Sequence, residues 1–159
     1  MDDAIAYANR TRRRCGRHLA ASAMGGKVYI VGGRFQAGFQ SEQTDRVEAY
    51  DPRTNEWKFY PPMIHPRGGL NAVAANGCLH VFGGEGANDK PNGVHPDHDV
   101  YHPFTDSWTM MAPIPTPVHG VTGMAFFNGL IHLPGGGTSI GGSSGSTLHQ
   151  VYRPSMTCR

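Results

Sequence analysis

Short apolar runs alternate along this chain with polar, glycine-rich stretches, and three of the runs close on a glycine pair. The pairs are Gly32-Gly33, Gly83-Gly84 and Gly135-Gly136, spaced 51 and 52 residues apart. A self-similar period of this size marks a repeat architecture. Tyr50, Tyr101 and Tyr152 keep an interval of 51, as do Trp57 and Trp108, and the chain stops at Arg159, where a third tryptophan would fall.

In the middle repeat, the small residues 69–75 lead into Asn76-Gly77, a strong two-residue hairpin signal, and the bulkier residues 78–82 follow as a second strand. The first repeat does the same with 19–23, Gly25-Gly26 and 27–31, and the third with 123–127, Asn128-Gly129 and 130–133. Small side chains in the first strand of each pair suit strands converging on a crowded axis, which places that strand innermost. A long polar loop follows each glycine pair, and a third strand is expected at 46–50 and 99–102. Turns at 51–55 and 103–106 then lead to outer strands at 56–60 and 107–110. Four antiparallel strands per repeat make a propeller blade, so the expected fold is all-β with about three blades.

The double glycine, the spaced tyrosine and tryptophan, and the proline-rich link through Pro61-Pro62 and Pro66-Arg67 resemble the kelch repeat over roughly residues 17–159. The resemblance divides the chain into a basic N-terminal extension at 1–16 and repeats at 17–66, 67–118 and 119–159, the last without its outer strand. Two departures stand out: Gly16-Arg17 replaces the proline-arginine before the first repeat, and His119 replaces the arginine in the third. Closed propellers typically have about 4 to 8 blades, so three blades leave a face uncovered at each end. Two chains joined into a six-bladed ring, the C-terminal half of a longer propeller, and an open arc are the alternatives. The resemblance favours the half propeller, because kelch rings are commonly closed by an outer strand from the opposite terminus. Residues 1–14 would have to supply it here, and within them 2–9 read equally as a short helix or a strand.

Composition narrows the function classes. With 38% apolar and 16% charged residues, 159 residues suffice for one globular core. No apolar run approaches the ~20 residues of a membrane helix, and the start lacks a secretory signal. A soluble protein is expected, with the cytoplasm favoured. The net charge of +2 does not argue for nucleic acid. Its excess sits in Arg10, Arg12, Arg13, Arg14 and Arg17, which lack interleaved aromatic residues to stack on bases and read as a solvated arm. Cys15, Cys78 and Cys158 are odd in number, far apart and without Cys-x-x-Cys spacing, so buried or idle thiols are expected.

Three loops longer than their connections require, 34–45, 85–98 and 137–147, share one end of the blades, where function is expected. There Arg17, Arg67 and His119 should join Arg34, Glu85 and Thr138 around an inner rim. In peptide-binding kelch proteins that rim is the docking site, and the resemblance implies the same positions here. Arg34 and Arg67 can each hold a carboxylate through two hydrogen bonds, the alternative for Arg67 being backbone carbonyls between blades. His95, Asp97, His98 and Asp99 bunch like metal ligands, but Pro96 discourages a helix and no further ligand can be placed nearby, so they read as a polar loop. His80, His102 and His132 read as structural. The glycine- and serine-rich run at 135–146 lacks the lysine and helix of a P-loop and reads as a surface loop.

The expected function is a non-enzymatic interaction scaffold for a protein or peptide of acidic character, with no metal or cofactor. The alternative carried by the resemblance is an enzyme, either a sugar epimerase or a copper-radical oxidase. No general base or nucleophile stands out, and the three cysteines offer no recognisable counterpart to the cysteine-tyrosine link that the oxidase needs.

Overall fold

The computed structural model describes residues 16–35, 41–121 and 123–158. The arginines at 10–14, Cys15 and residues 2–9 lie outside the described residues. Every regular element described is a strand, and no helix among them is long and apolar enough to cross a membrane.

The strands form three consecutive antiparallel blades. Blade 1 holds β1 (Ala20–Met24), β2 (Lys27–Val31), β5 (Val47–Asp51) and β6 (Glu56–Tyr60) in that spatial order. Its long loop carries an unexpected two-residue hairpin, β3 (Arg34–Phe35) with β4 (Glu42–Gln43). Blade 2 holds β7 (Asn71–Ala75), β8 (Cys78–Phe82), β9 (His98–His102) and β10 (Ser107–Met110). Blade 3 holds β11 (Ala125–Phe127), β12 (Leu130–Pro134) and β13 (His149–Tyr152), and among the described residues no fourth strand pairs with β13.

Local chemistry explains the repeat. The first hairpin of each blade turns through two positive-φ residues, Gly25-Gly26 (57° and 75°), Asn76-Gly77 (51° and 80°) and Asn128-Gly129 (49° and 74°). This tight turn matches the right-handed twist of the strands, and glycine and asparagine tolerate it best. The glycine pairs answer a second demand. A Cβ on Gly32, whose φ is 59°, would lie 2.5 Å from Leu70 Cδ2 and 2.8 Å from the Arg67 carbonyl oxygen, both belonging to the next blade. On Gly83 it would run into the Val118 carbonyl in the same way.

The small first strands do lie side by side. β1 runs along β7, where the Ala74 amide donates to Ser22 Oγ at 3.0 Å, and β7 runs along β11. Between blades 1 and 2 the core gathers Tyr29, Val31, Val47, Ala49, Leu79, Val81 and Tyr101. Between blades 2 and 3 it gathers Val73, Phe82, Ile114, Val118, Ile131 and Leu133, with Tyr152 packed against it. Tyr101 and Tyr152 play one part in two places: each leans back on the preceding blade, Tyr101 on Tyr29 and Tyr60, Tyr152 on Phe82 and His98.

The expectation of unpaired thiols fails for two of the three cysteines. Cys78 and Cys158 form a disulfide across 80 residues of sequence, with a Cα–Cα distance of 5.1 Å. The Cys158 amide donates to the Asn76 carbonyl at 2.9 Å, which lays the end of the described chain against the β7–β8 turn. Disulfides persist in oxidising compartments and are rare in the cytosol.

Candidate functional site

Backbone bridges fix which residues meet at the rim. They join Arg17 to Arg34, Gly68 to Glu85, and His119 to Gly137. In the register of the repeat, Arg17, Gly68 and His119 therefore share one position, and Arg34, Glu85 and Gly137 share the next. Side chains alternate sides along extended backbone, so a residue one place out of this register faces elsewhere. Arg67 is such a residue. It is fully buried, with Nη1 2.8 Å from Asp99 Oδ2 and 3.5 Å from Asp97 Oδ2. It is an interior ion-pair residue, not a rim ligand, and the sequence-based alternative of carbonyl partners also misses its carboxylates.

Thr138 is displaced likewise. Gly137 holds the rim position, and the Thr138 amide donates to the Ser144 carbonyl at 3.2 Å. Arg17 is exposed and exchanges two 2.8 Å backbone hydrogen bonds with Arg34, but it does not line the pocket described next.

The remaining three expected residues come together. Arg34, Glu85 and His119 line a pocket of about 600 Å³ with His18, Ser144 and Thr147. Arg34 Nη1 lies 2.7 Å from Glu85 Oε1, and Glu85 is almost wholly buried. His119 places Nδ1 3.4 Å from Glu85 Oε2, while its Nε2 donates to the Ser139 carbonyl at 2.7 Å. Glu85 thus lies between a side chain from blade 1 and one from blade 3. The third loop forms a wall stiffened by its own hydroxyls, with Ser144 Oγ donating to the Ser139 carbonyl at 2.7 Å and Ser146 Oγ to the Gly136 carbonyl at 2.9 Å.

His18 was missed by the sequence reading. Its Nε2 lies 3.2 Å from Arg34 Nη2, and its backbone φ is 54°. The equivalent positions in the other repeats are Gly69 and Gly120, both at 62°. These three residues form a ladder, Gly69 N to His18 O and Gly120 N to Gly69 O, each 2.7 Å. A histidine in a conformation that its repeat equivalents meet with glycine is the signal that could have found it.

A second polar cluster lies apart from the pocket. Asp97 Oδ2 is 2.7 Å from His65 Nδ1 and 3.3 Å from His95 Nδ1. His95's hydrogen bond, followed by that of His65 and the charge of Arg67, holds the Asp97 carboxyl well below the usual carboxylate range despite its partial burial. The sequence suggested two of these three residues, and the fold brings in His65 from the link between blades 1 and 2. As for the oxidase alternative, Cys78 and Cys158 are bonded to each other, so neither is available for a link to tyrosine.

Known proteins match this chain in the same terms. The Kelch motif matches residues 15–64. The chain is 33% identical to Kelch-like ECH-associated protein 1A of Danio rerio over 77% of its own length and 18% of that protein's. It is 35% identical to Kelch-like protein 25 of Xenopus tropicalis, over 78% of this chain and 21% of the relative. Similarity to Kelch-like protein terF of Aspergillus terreus reaches 29% identity over 81% of the chain and 28% of that relative. The chain therefore spans less than a third of the length of these curated relatives. Among solved structures, YjhT superposes with a TM-score of 0.73 at 20% identity, over 91% of this chain and 44% of that one. With the motif, the relatives and three glycine-paired blades in agreement, the chain belongs to the kelch-repeat family.

Proposed function

We propose that this chain is a docking module whose long-loop pocket receives a segment of a partner protein or peptide. The observation that carries this reading is the composition of the pocket wall, to which all three blades contribute: His18 and Arg34 from the first, Glu85 from the second, His119, Ser144 and Thr147 from the third. A concave site with a few converging polar groups on a rigid scaffold is the usual form of a recognition site. The name of the zebrafish relative records an association with ECH, in keeping with a binding role. Glu85 already neutralises Arg34, so the favoured ligand is a hydrogen-bonding segment in which acidic residues are not essential.

Gly142 supplies the test. It lines the pocket, has no positive φ, and a Cβ built on it meets nothing within 4 Å. Gly142→Trp should fill the pocket without disturbing the blades. Peptides selected from a display library on the wild-type protein should bind the variant at least tenfold more weakly. Selected peptides that bind both proteins equally would remove the pocket from consideration.

A second copy of the chain is the partner we assign to the outer face of blade 3. That face exposes Phe127 and Val151, and it carries His132 and His149 with Nδ1 and Nε2 3.1 Å apart. His80 and His98 occupy the same positions in blade 2, 3.0 Å apart, where Tyr152 of blade 3 covers them. Tyr50 is the blade 1 counterpart of Tyr152, on the face turned away from blade 2, and Tyr50 of a second copy would cover His132 and His149. Sedimentation equilibrium should show a dimer that Val151→Lys weakens. A monomer at all concentrations would remove this reading and leave the pocket unaffected.

A further inference from the structure

We infer that His65, His95 and Asp97 form a binding site for a divalent transition metal, with zinc the cation best suited to two imidazoles and one carboxylate. None of the three lines the rim pocket, so the site is separate from the proposed docking surface. One ligand atom from each residue falls within 4.8 Å of the others. Zinc takes imidazole nitrogen at about 2.0–2.1 Å and carboxylate oxygen at about 2.0–2.2 Å, so three ligands around one ion sit only a few ångströms apart. Small side-chain rotations convert the hydrogen-bonded trio into such a set. The proton on each Nδ1 moves to Nε2, and the freed lone pairs face the ion.

The ligands are held from both sides. The His95 amide donates to the Gly84 carbonyl at 2.8 Å, the Gly83 amide to the Asp97 carbonyl at 2.9 Å, and the Ile114 amide to the Pro96 carbonyl at 2.9 Å. The link bearing His65 is pinned before and after by the Met63 amide on the Asp45 carbonyl at 2.8 Å and the Arg67 amide on the Thr44 carbonyl at 3.3 Å. The two rings lie nearly parallel, 26° apart, with centroids 6.2 Å from each other. His65 is about half exposed, which gives an ion a route in and leaves a coordination position for water.

Arg67 is the nearest opposing charge among the described residues, 3.5 Å from Asp97 Oδ2, and Lys90 is a more distant one. The closer partner of Arg67 is Asp99 at 2.8 Å, and Arg67, Asp97 and Asp99 together leave one net negative charge for a cation to meet. Bound metal would tie the link between blades 1 and 2 to the long loop of blade 2, acting as a staple between repeats.

The test is calorimetric titration of the purified chain with zinc chloride in a non-chelating buffer, with thermal melts recorded alongside. One zinc per chain is expected, together with a rise in Tm on addition of zinc. His65→Ala should weaken binding at least tenfold and abolish the Tm rise. Its exposed side chain can be removed without opening the core, which circular dichroism will check. His102→Ala, at an accessible histidine outside the docking pocket, the second-copy face and the metal ligands, should leave both readouts unchanged. Absence of zinc binding, binding that survives His65→Ala, or binding lost in His102→Ala would each overturn the assignment.

Discussion

Arg67 and Asp99 face each other at 2.8 Å with neither side chain reached by solvent. A buried ion pair of this kind adds little net stability over an apolar pair, but breaking it strands a charge, at a cost of about 3–5 kcal/mol. Arg67→Ala should lower the urea midpoint by a corresponding amount. Arg34→Ala removes a partly exposed side chain and should cost less. Equal losses would mean that the two arginines play the same structural part.

The histidine pair between blades 2 and 3 predicts acid sensitivity. Burial lowers His80 to about 4, and burial with the neighbouring His80 lowers His98 to about 3, from an ordinary value of 6.5. Between pH 6.5 and 4 the unfolded chain therefore binds protons that the folded chain refuses. Stability is full above this window and falls as pH drops through it, by up to about 1.4 kcal/mol per pH unit for each histidine. Asp97, held low by His95, His65 and Arg67, gives up its contribution only as pH falls below the ordinary carboxylate range. Urea midpoints measured from pH 7 to 4.5 should decline steadily, and a flat profile would contradict buried neutral imidazoles.

Joining Cys78 to Cys158 restricts the unfolded chain over a long loop, an effect of about 2–5 kcal/mol. Reduction, or Cys78→Ser, should lower Tm by several degrees. Thiol titration of the unfolded, unreduced protein should find Cys15 alone, and three reactive thiols would refute the bond.

Two glycines with nearly the same φ should respond very differently to alanine. Gly25 has a φ of 57° and open space around it, so Gly25→Ala should cost only the conformational strain, about 1 kcal/mol. Gly83 has a φ of 60°, and its new methyl would meet the Val118 carbonyl in the link to the next blade. Gly83→Ala should abolish folding or reduce stability by several kcal/mol, as a pair of denaturation curves will show.

The blades were legible because their instructions are local: Asn76-Gly77 makes its own turn, and Gly83-Gly84 ends its own strand. Arg34, Glu85 and His119 were legible because the hairpins bring all three to one end. Arg67 and Thr138 were misplaced by a single residue, since the side that a side chain faces depends on where the backbone bridges start, and the repeat motif alone does not mark that point. His18 hid because its two counterparts are glycines without side chains. The disulfide and the His65–Asp97 contact join residues 80 and 32 positions apart, each through a meeting that only the folded blades create.

Because Cys78 and Cys158 are bonded, everything between them lies on a closed covalent ring that includes the glycine- and serine-rich wall of the pocket. A protease that cuts once within that wall opens the ring without releasing a fragment. The nicked molecule would keep its mass on a non-reducing gel and separate into two pieces only with a reductant. One loop of the pocket can thus be severed while the blades that carry its other walls remain one molecule.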